Sequence, residues 1–103
     1  MEKKIVHVGW ADKEGQKIKN WKRRWFVLVN DGTLRYFENK SSFAEKGHVT
    51  IDKNTSISIR PSSSQGTPVS IINPNRNFLM SLSNKTEAEE WIQILQNVKN
   101  SLN

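Results

Sequence analysis

After Ser83 the apolar residues of this 103-residue chain change their period. Ala88, Trp91, Ile92, Leu95, Val98 and Leu102 recur every three or four positions, and so share one stripe of a helix. Before Ser83 the apolar residues come in short runs between turn signatures, several of them with period two, which is the mark of half-buried strands. The chain therefore predicts a mainly β domain: seven short strands followed by a single amphipathic C-terminal α-helix. Its length suits one domain with a modest core, spanning residues 1–103.

The predicted strands are Ile5 to Lys13, Trp21 to Val29, Leu34 to Phe37, His48 to Ile51, Ser56 to Ile59, Val69 to Ile72 and Phe78 to Leu82. Gly9 permits a bend or a close approach within the first strand. Asn30-Asp31-Gly32-Thr33 reads as a hairpin turn, because Asp-Gly tolerates positive φ. The run from Asn73 to Asn77 (Asn-Pro-Asn-Arg-Asn) reads as another turn. Arg60 to Pro68 is the most loop-like segment and the candidate for local disorder. At the helix start, Thr86-x-x-Glu89 has capping-box form and Asn84 competes as the cap. Glu87, Glu89 and Glu90 suit the positive end of the helix dipole.

The charge is concentrated in one stretch, Lys13 to Leu28. Lys13, Lys17, Lys19, Lys22, Arg23 and Arg24 are accompanied there by a single acid, Glu14. A hairpin folds these cations back on one another, which is unfavourable unless an anion sits among them. The net charge of +6 agrees: the partner is acidic, whether nucleic acid, an anionic membrane face or an acidic protein. With no cysteine, disulfides and thiolate chemistry are excluded, and an intracellular setting is compatible. No apolar run is long enough for a signal peptide or a membrane span, so membrane contact is expected to be peripheral.

Strand alternation says where these cations point. Lys22, Arg24, Phe26 and Leu28 share one face of the second strand. The apolar pair must face the core, so Lys22 and Arg24 face inward as well, at the rim. Ala11 and Lys13 share the inner face of the first strand, and Leu34 and Tyr36 that of the third. Arg23, Asp12 and Glu14 alternate outward. Four polar side chains thus converge on one mouth, where clustered phosphates can supply the missing charge. Arginine binds phosphate bidentately, whereas lysine acts as a point charge.

Five pieces in order carry a family likeness: Gly9-Trp10-Ala11-Asp12-Lys13, Trp21 to Leu28, Leu34-Arg35-Tyr36-Phe37, Gly47, and Glu89-Glu90-Trp91-Ile92. Over its full length the chain resembles a pleckstrin homology (PH) domain of the phosphoinositide-binding type, similar to those of cytohesins and of protein kinase B. The resemblance implies two orthogonal antiparallel sheets, a β-sandwich or barrel plugged at one end by the helix, with Trp91 in the core. It also implies that Lys13, Lys22 and Arg24 match the family's pattern for 3-phosphorylated inositol lipids. Tyr36 matches a tyrosine that reaches a headgroup phosphate, and Lys46 a further basic position. Lys17 and Asn20 lie on the loop that touches other headgroup positions. Ile18, Lys19 and Arg23 are expected to contact the membrane. Ala11 departs from the family's larger aliphatic residue, and the long hairpin that some relatives insert between the sixth and seventh strands is missing.

The expected function is recruitment to the plasma membrane from the cytoplasm, as a monomer, in signalling, with a serine/threonine kinase as a host suggested by the N-terminal position and the Asn30–Thr33 turn. The alternative is a protein-interaction module on the same fold. Nucleic acid is not an expected partner: there is no RNP-type motif, and the cations gather at a mouth instead of tracking a groove. Trp10, Trp21, Trp25 and Trp91 are read as packing residues. His7 and His48 have no carboxylate or second histidine at ligand spacing, so no metal is expected. Asp12, Glu14, Glu38, Glu45 and Asp52 lack paired acid–base logic, so neither catalysis nor a cofactor is expected.

Overall fold

A computed structural model describes residues 2–15 and 20–102. The described residues form β1 (Ile5–Glu14), β2 (Trp21–Val29), β3 (Thr33–Phe37), β4 (Gly47–Thr50), β5 (Ser56–Ile59), β6 (Thr67–Asn73), β7 (Arg76–Leu82) and α1 (Lys85–Ser101). All the pairings between strands are antiparallel, in the order β4-β3-β2-β1-β7-β6-β5. The two expected sheets are thus the halves of one hydrogen-bonded array. β1 pairs with β2 from Ile5↔Val29 to Glu14↔Trp21, but with β7 only at Asp12↔Ser81 and Lys13↔Met80.

Alternation sets the core. Phe26, Leu28, Leu34, Phe78, Met80 and Leu95 are fully buried. A bulge between Ile5 and His7 shifts the register of β1: Ile5 comes opposite the outward-facing Val29 and is 66% exposed, while His7 turns in against Trp91. Trp91, 3% exposed, lies edge-on to His7 (4.4 Å between centroids) and to Phe26 (6.5 Å). α1 packs on β5, β6 and β7 and reaches β1 near Gly9. The helix therefore closes the His7–Gly9 end of β1. Lys13 lies four residues further along, about 13 Å away at strand rise.

Four expectations change. Arg60 to Pro68 is ordered: Ser63 and Gly66 exchange backbone hydrogen bonds of 2.8 and 3.1 Å, Gln65 Nε2 donates to Asp12 Oδ2 at 2.9 Å, and Ser81 Oγ donates to the Gln65 carbonyl at 3.0 Å. Polar residues chosen for turn chemistry here tie the loop to β1 and β7. Arg76, expected within a turn, opens β7, because Asn73↔Arg76 already pair across a tight two-residue turn. The helix cap is Asn84, whose Oδ1 accepts from the Glu87 amide at 2.9 Å; Thr86 is already inside the helix. Leu102 falls beyond the helix as its C-cap instead of on the buried stripe. The hairpin turn after β2 matches expectation, with Gly32 at φ 93° and Asp31 Oδ1 accepting from the Thr33 amide at 2.9 Å. That amide holds the Asp31 carboxyl below its usual range.

The β3–β4 connection is held by Glu45, which pairs with Arg35 on one side and with His48 Nδ1 at 2.6 Å on the other. His48 thus has a carboxylate three residues away, contrary to the sequence reading. The hydrogen bond from His48, reinforced by Arg35, keeps the Glu45 carboxyl below its usual value. Among the described residues, no group of three His, Cys, Asp or Glu side chains is placed to hold a metal ion.

Two outcomes follow from these contacts. Asn84→Ala should cost about 1 kcal/mol in urea unfolding, whereas Thr86→Ala should stay within about 0.5 kcal/mol. A depressed folded-state carboxyl stabilises above its unfolded pKa, and this stabilisation is lost as pH falls through the folded value. Between about pH 7 and about pH 3 the Glu45→Gln variant should therefore lose less stability than the parent, read as the change in urea midpoint.

Candidate functional site

At the end of the sheet away from Trp91, Lys13, Gly15, Asn20, Lys22, Arg24, Tyr36 and Lys46 line an open cleft of about 420 Å³. Its floor follows from register. Lys13 faces Lys22 across β1 and β2, Ala11 faces Arg24, and Tyr36 sits between Phe26 and Gly47. Each lining residue of a strand belongs to the inner set that Phe26 and Leu28 define deeper in the core. The Gly15 amide donates to the Asn20 carbonyl at 2.8 Å and closes the base of the β1–β2 loop.

Two like charges directly opposite on neighbouring strands repel. Lys13 is partly compensated by what it touches: its ammonium lies 5.0 Å from the Tyr36 ring centroid and 5.7 Å from that of Phe78, and donates to the Glu14 carbonyl at 3.3 Å. Arg24 Nη1 donates to the Arg23 carbonyl at 3.1 Å. Lys46 Nζ lies 3.5 Å from the exposed Glu38 carboxylate, and its amide donates to the Tyr36 carbonyl at 2.8 Å. Among the described residues, no carboxylate forms an ion pair with Lys13, Lys22 or Arg24. Asp12 points away to Gln65, and Glu14 lines a separate hollow with Arg60.

The cleft is built on a rigid aromatic floor. Tyr36, 7% exposed, packs at 5.7 Å from both Phe26 and Phe78. Gly47 makes room for it, since a Cβ there would collide with the Tyr36 ring and hydroxyl. Arg76 Nη2 donates to the Tyr36 hydroxyl at 3.3 Å, while Nη1 donates to the His48 carbonyl at 2.7 Å. The phenol accepts from Arg76 and so keeps its own hydrogen to donate elsewhere. Arg76 is the positioning residue that sequence reasoning passed over. Its place at the head of β7 depends on the tightness of the preceding turn, which the Pro74-Asn75 dipeptide hints at without fixing.

Of the residues singled out from sequence, Lys13, Asn20, Lys22, Arg24, Tyr36 and Lys46 come together in this cleft. Arg23 lies on the opposite face of β2, with its guanidinium 5.3 Å from the Trp10 ring, and Trp10 stacks edge-on with Trp25 at 5.3 Å. Lys17, Ile18 and Lys19 lie outside the described residues. The small Ala11 is 2% exposed, so the strand behind Lys13 is closely covered despite its size.

The sequence model of the PH domain matches residues 5–100. A RAC family serine/threonine-protein kinase homolog of Dictyostelium discoideum is 29% identical over 98 residues, covering 95% of this chain and 22% of that protein. Switch-associated protein 70 of Gallus gallus is 30% identical over 93 residues, 89% of this chain and 16% of that protein. The chain therefore spans less than a quarter of the length of these two relatives. Among solved structures, the C-terminal PH domain of pleckstrin in complex with D-myo-Ins(1,2,3,4,5)P5 superposes with a TM-score of 0.78 at 24% identity, covering 92% of this chain and 98% of that one. With strands, helix and family match in agreement, this chain belongs to the PH domain family, a family of binding modules.

Proposed function

We propose that the cleft binds the headgroup of a 3-phosphorylated inositol lipid, the 3,4,5-trisphosphate or the 3,4-bisphosphate, and so recruits the protein that carries it from the cytoplasm to the plasma membrane. The observation that carries this reading is the meeting of Lys13, Lys22 and Arg24 on one inner rim without a carboxylate partner among the described residues. Arg24 supplies the fork for one phosphate, Lys13 and Lys22 the point charges beside it, and Tyr36 a hydroxyl donor on the far wall. Lys46 and Asn20 extend the contact to neighbouring ring positions, and Lys17 is assigned to the same loop by its place in sequence.

Ile18, Lys19 and Arg23 are proposed to meet the membrane surface around the headgroup. Each surface cation near anionic lipid adds roughly 1 kcal/mol, so these terms strengthen attachment while the cleft selects. The short β6–β7 turn gives no further arm to grip one phosphate, which supports a module that accepts both lipids. The mouse dual adapter for phosphotyrosine and 3-phosphotyrosine and 3-phosphoinositide, 28% identical over 88 residues, supports the choice of lipid class, and the Dictyostelium kinase supports a serine/threonine kinase as host. The alternative, a protein-docking PH domain, is favoured by the outer face of the sheet. There Arg23 and Lys40 lie over Trp10 and Trp25.

Calorimetric titration with soluble inositol phosphates decides between them. Saturable binding that prefers a 3-phosphorylated headgroup is expected, weakened about tenfold or more by Arg24→Ala and by Lys13→Ala. Binding without headgroup preference, or unchanged by both substitutions, would refute the lipid reading and leave the protein-docking one.

A further inference from the structure

Phe43 is wholly exposed, more so than any other large apolar side chain among the described residues. It stands in the connection between β3 and β4, residues 38–46, which is tied down on both sides of it. Before Phe43, Asn39 Oδ1 accepts from the Ser41 amide at 3.0 Å, and Ser42 Oγ accepts from the Asn39 amide at 3.3 Å. After it, Glu45 bridges Arg35 and His48, and the Lys46 amide is held on the Tyr36 carbonyl. The phenyl ring is thus displayed in water by a loop that these contacts hold on both sides of it.

Register gives the display a direction. Trp25↔Phe37 and Tyr36↔Gly47 bring both ends of this connection to the end of the sheet where Lys13 faces Lys22. Lys46, three residues after Phe43, lines the cleft, and Lys40, three residues before it, lies over Trp25 at 5.1 Å. Of the loop's two carboxylates, Glu38 is near Lys46 and Glu45 is engaged by Arg35 and His48. An apolar tip bracketed by lysines beside a cationic cleft fits an anionic bilayer better than open water.

We infer that Phe43 is a membrane anchor, entering the interfacial region of the same anionic bilayer whose headgroup occupies the cleft. This rests on the headgroup reading of that cleft and adds a second attachment point to it, on a different loop from Ile18. Withdrawing the ring from water strengthens attachment without touching the headgroup.

The test separates the two parts. Phe43→Ser should weaken binding to phosphatidylcholine–phosphatidylserine vesicles carrying phosphatidylinositol 3,4,5-trisphosphate by about tenfold, yet leave the affinity for soluble inositol 1,3,4,5-tetrakisphosphate unchanged. The chain has no cysteine, so Phe43→Cys offers a unique site for an environment-sensitive fluorophore. On those vesicles its emission should shift to the blue and be quenched by spin-labelled acyl chains. Equal vesicle affinity with an unquenched label, in a protein that binds the soluble headgroup, overturns the anchor alone. A parent chain that fails to bind the soluble headgroup overturns the cleft reading, and the inference with it.

Discussion

At Asp12 and Lys13 the backbone of β1 is paired on both edges, with β2 on one side and β7 on the other. Among the described residues these two positions alone pair β1 with β7, so the position of Lys13 is fixed by two ladders at once. That double pairing makes a lysine at this point hard to move away from Lys22. Elsewhere a like-charged cross-strand pair relaxes by shifting one strand end; here the sheet itself holds the pair together. The cleft is the consequence: cations kept close by backbone hydrogen bonds, with their charge unanswered by a described carboxylate.

The surroundings are arranged to hold this state rather than to relieve it. Trp91 and α1 close the His7–Gly9 end of β1 and leave the Lys13 end open. Phe26, Tyr36 and Phe78 form an aromatic floor that gives the Lys13 ammonium ring faces in place of a counterion. Cation–ring contacts of this kind are worth about 0.5–2 kcal/mol and leave the charge available to a ligand. Gly47 and Arg76 fix Tyr36 from two sides, one by yielding space and the other by a hydrogen bond. A group on a buried strand, with its rotamer locked by neighbours, loses little entropy when a ligand arrives.

How much of this could be read from sequence depends on the kind of order involved. Inward-facing Lys22 and Arg24 followed from Phe26 and Leu28, because strand alternation leaves one free choice that the apolar pair makes. Tyr36 and Lys13 came by the same route, and the period change after Ser83 gave the helix. The remainder depended on distances that no local pattern encodes. Asn84 and Thr86 both have the chemistry of a cap, and only the path of the chain selects Asn84. The order of residues 60–68 comes from Gln65 reaching Asp12, more than fifty positions away in sequence. Arg76 became a support for Tyr36 through a two-residue turn, three residues shorter than the Asn73–Asn77 stretch that composition marks as a turn. His48 acquired a carboxylate from Glu45 because the connection folds back on itself.

The central claim is that the cation pair costs the free protein stability which a polyphosphate returns. Differential scanning calorimetry of the parent and of Lys22→Gln, each with and without inositol 1,3,4,5-tetrakisphosphate, tests it most directly. The free variant should melt at or above the parent, since a repulsive charge is gone, and the ligand should raise the parent by several degrees while moving the variant much less. A free variant that melts well below the parent, or a ligand that raises both equally, would contradict the account.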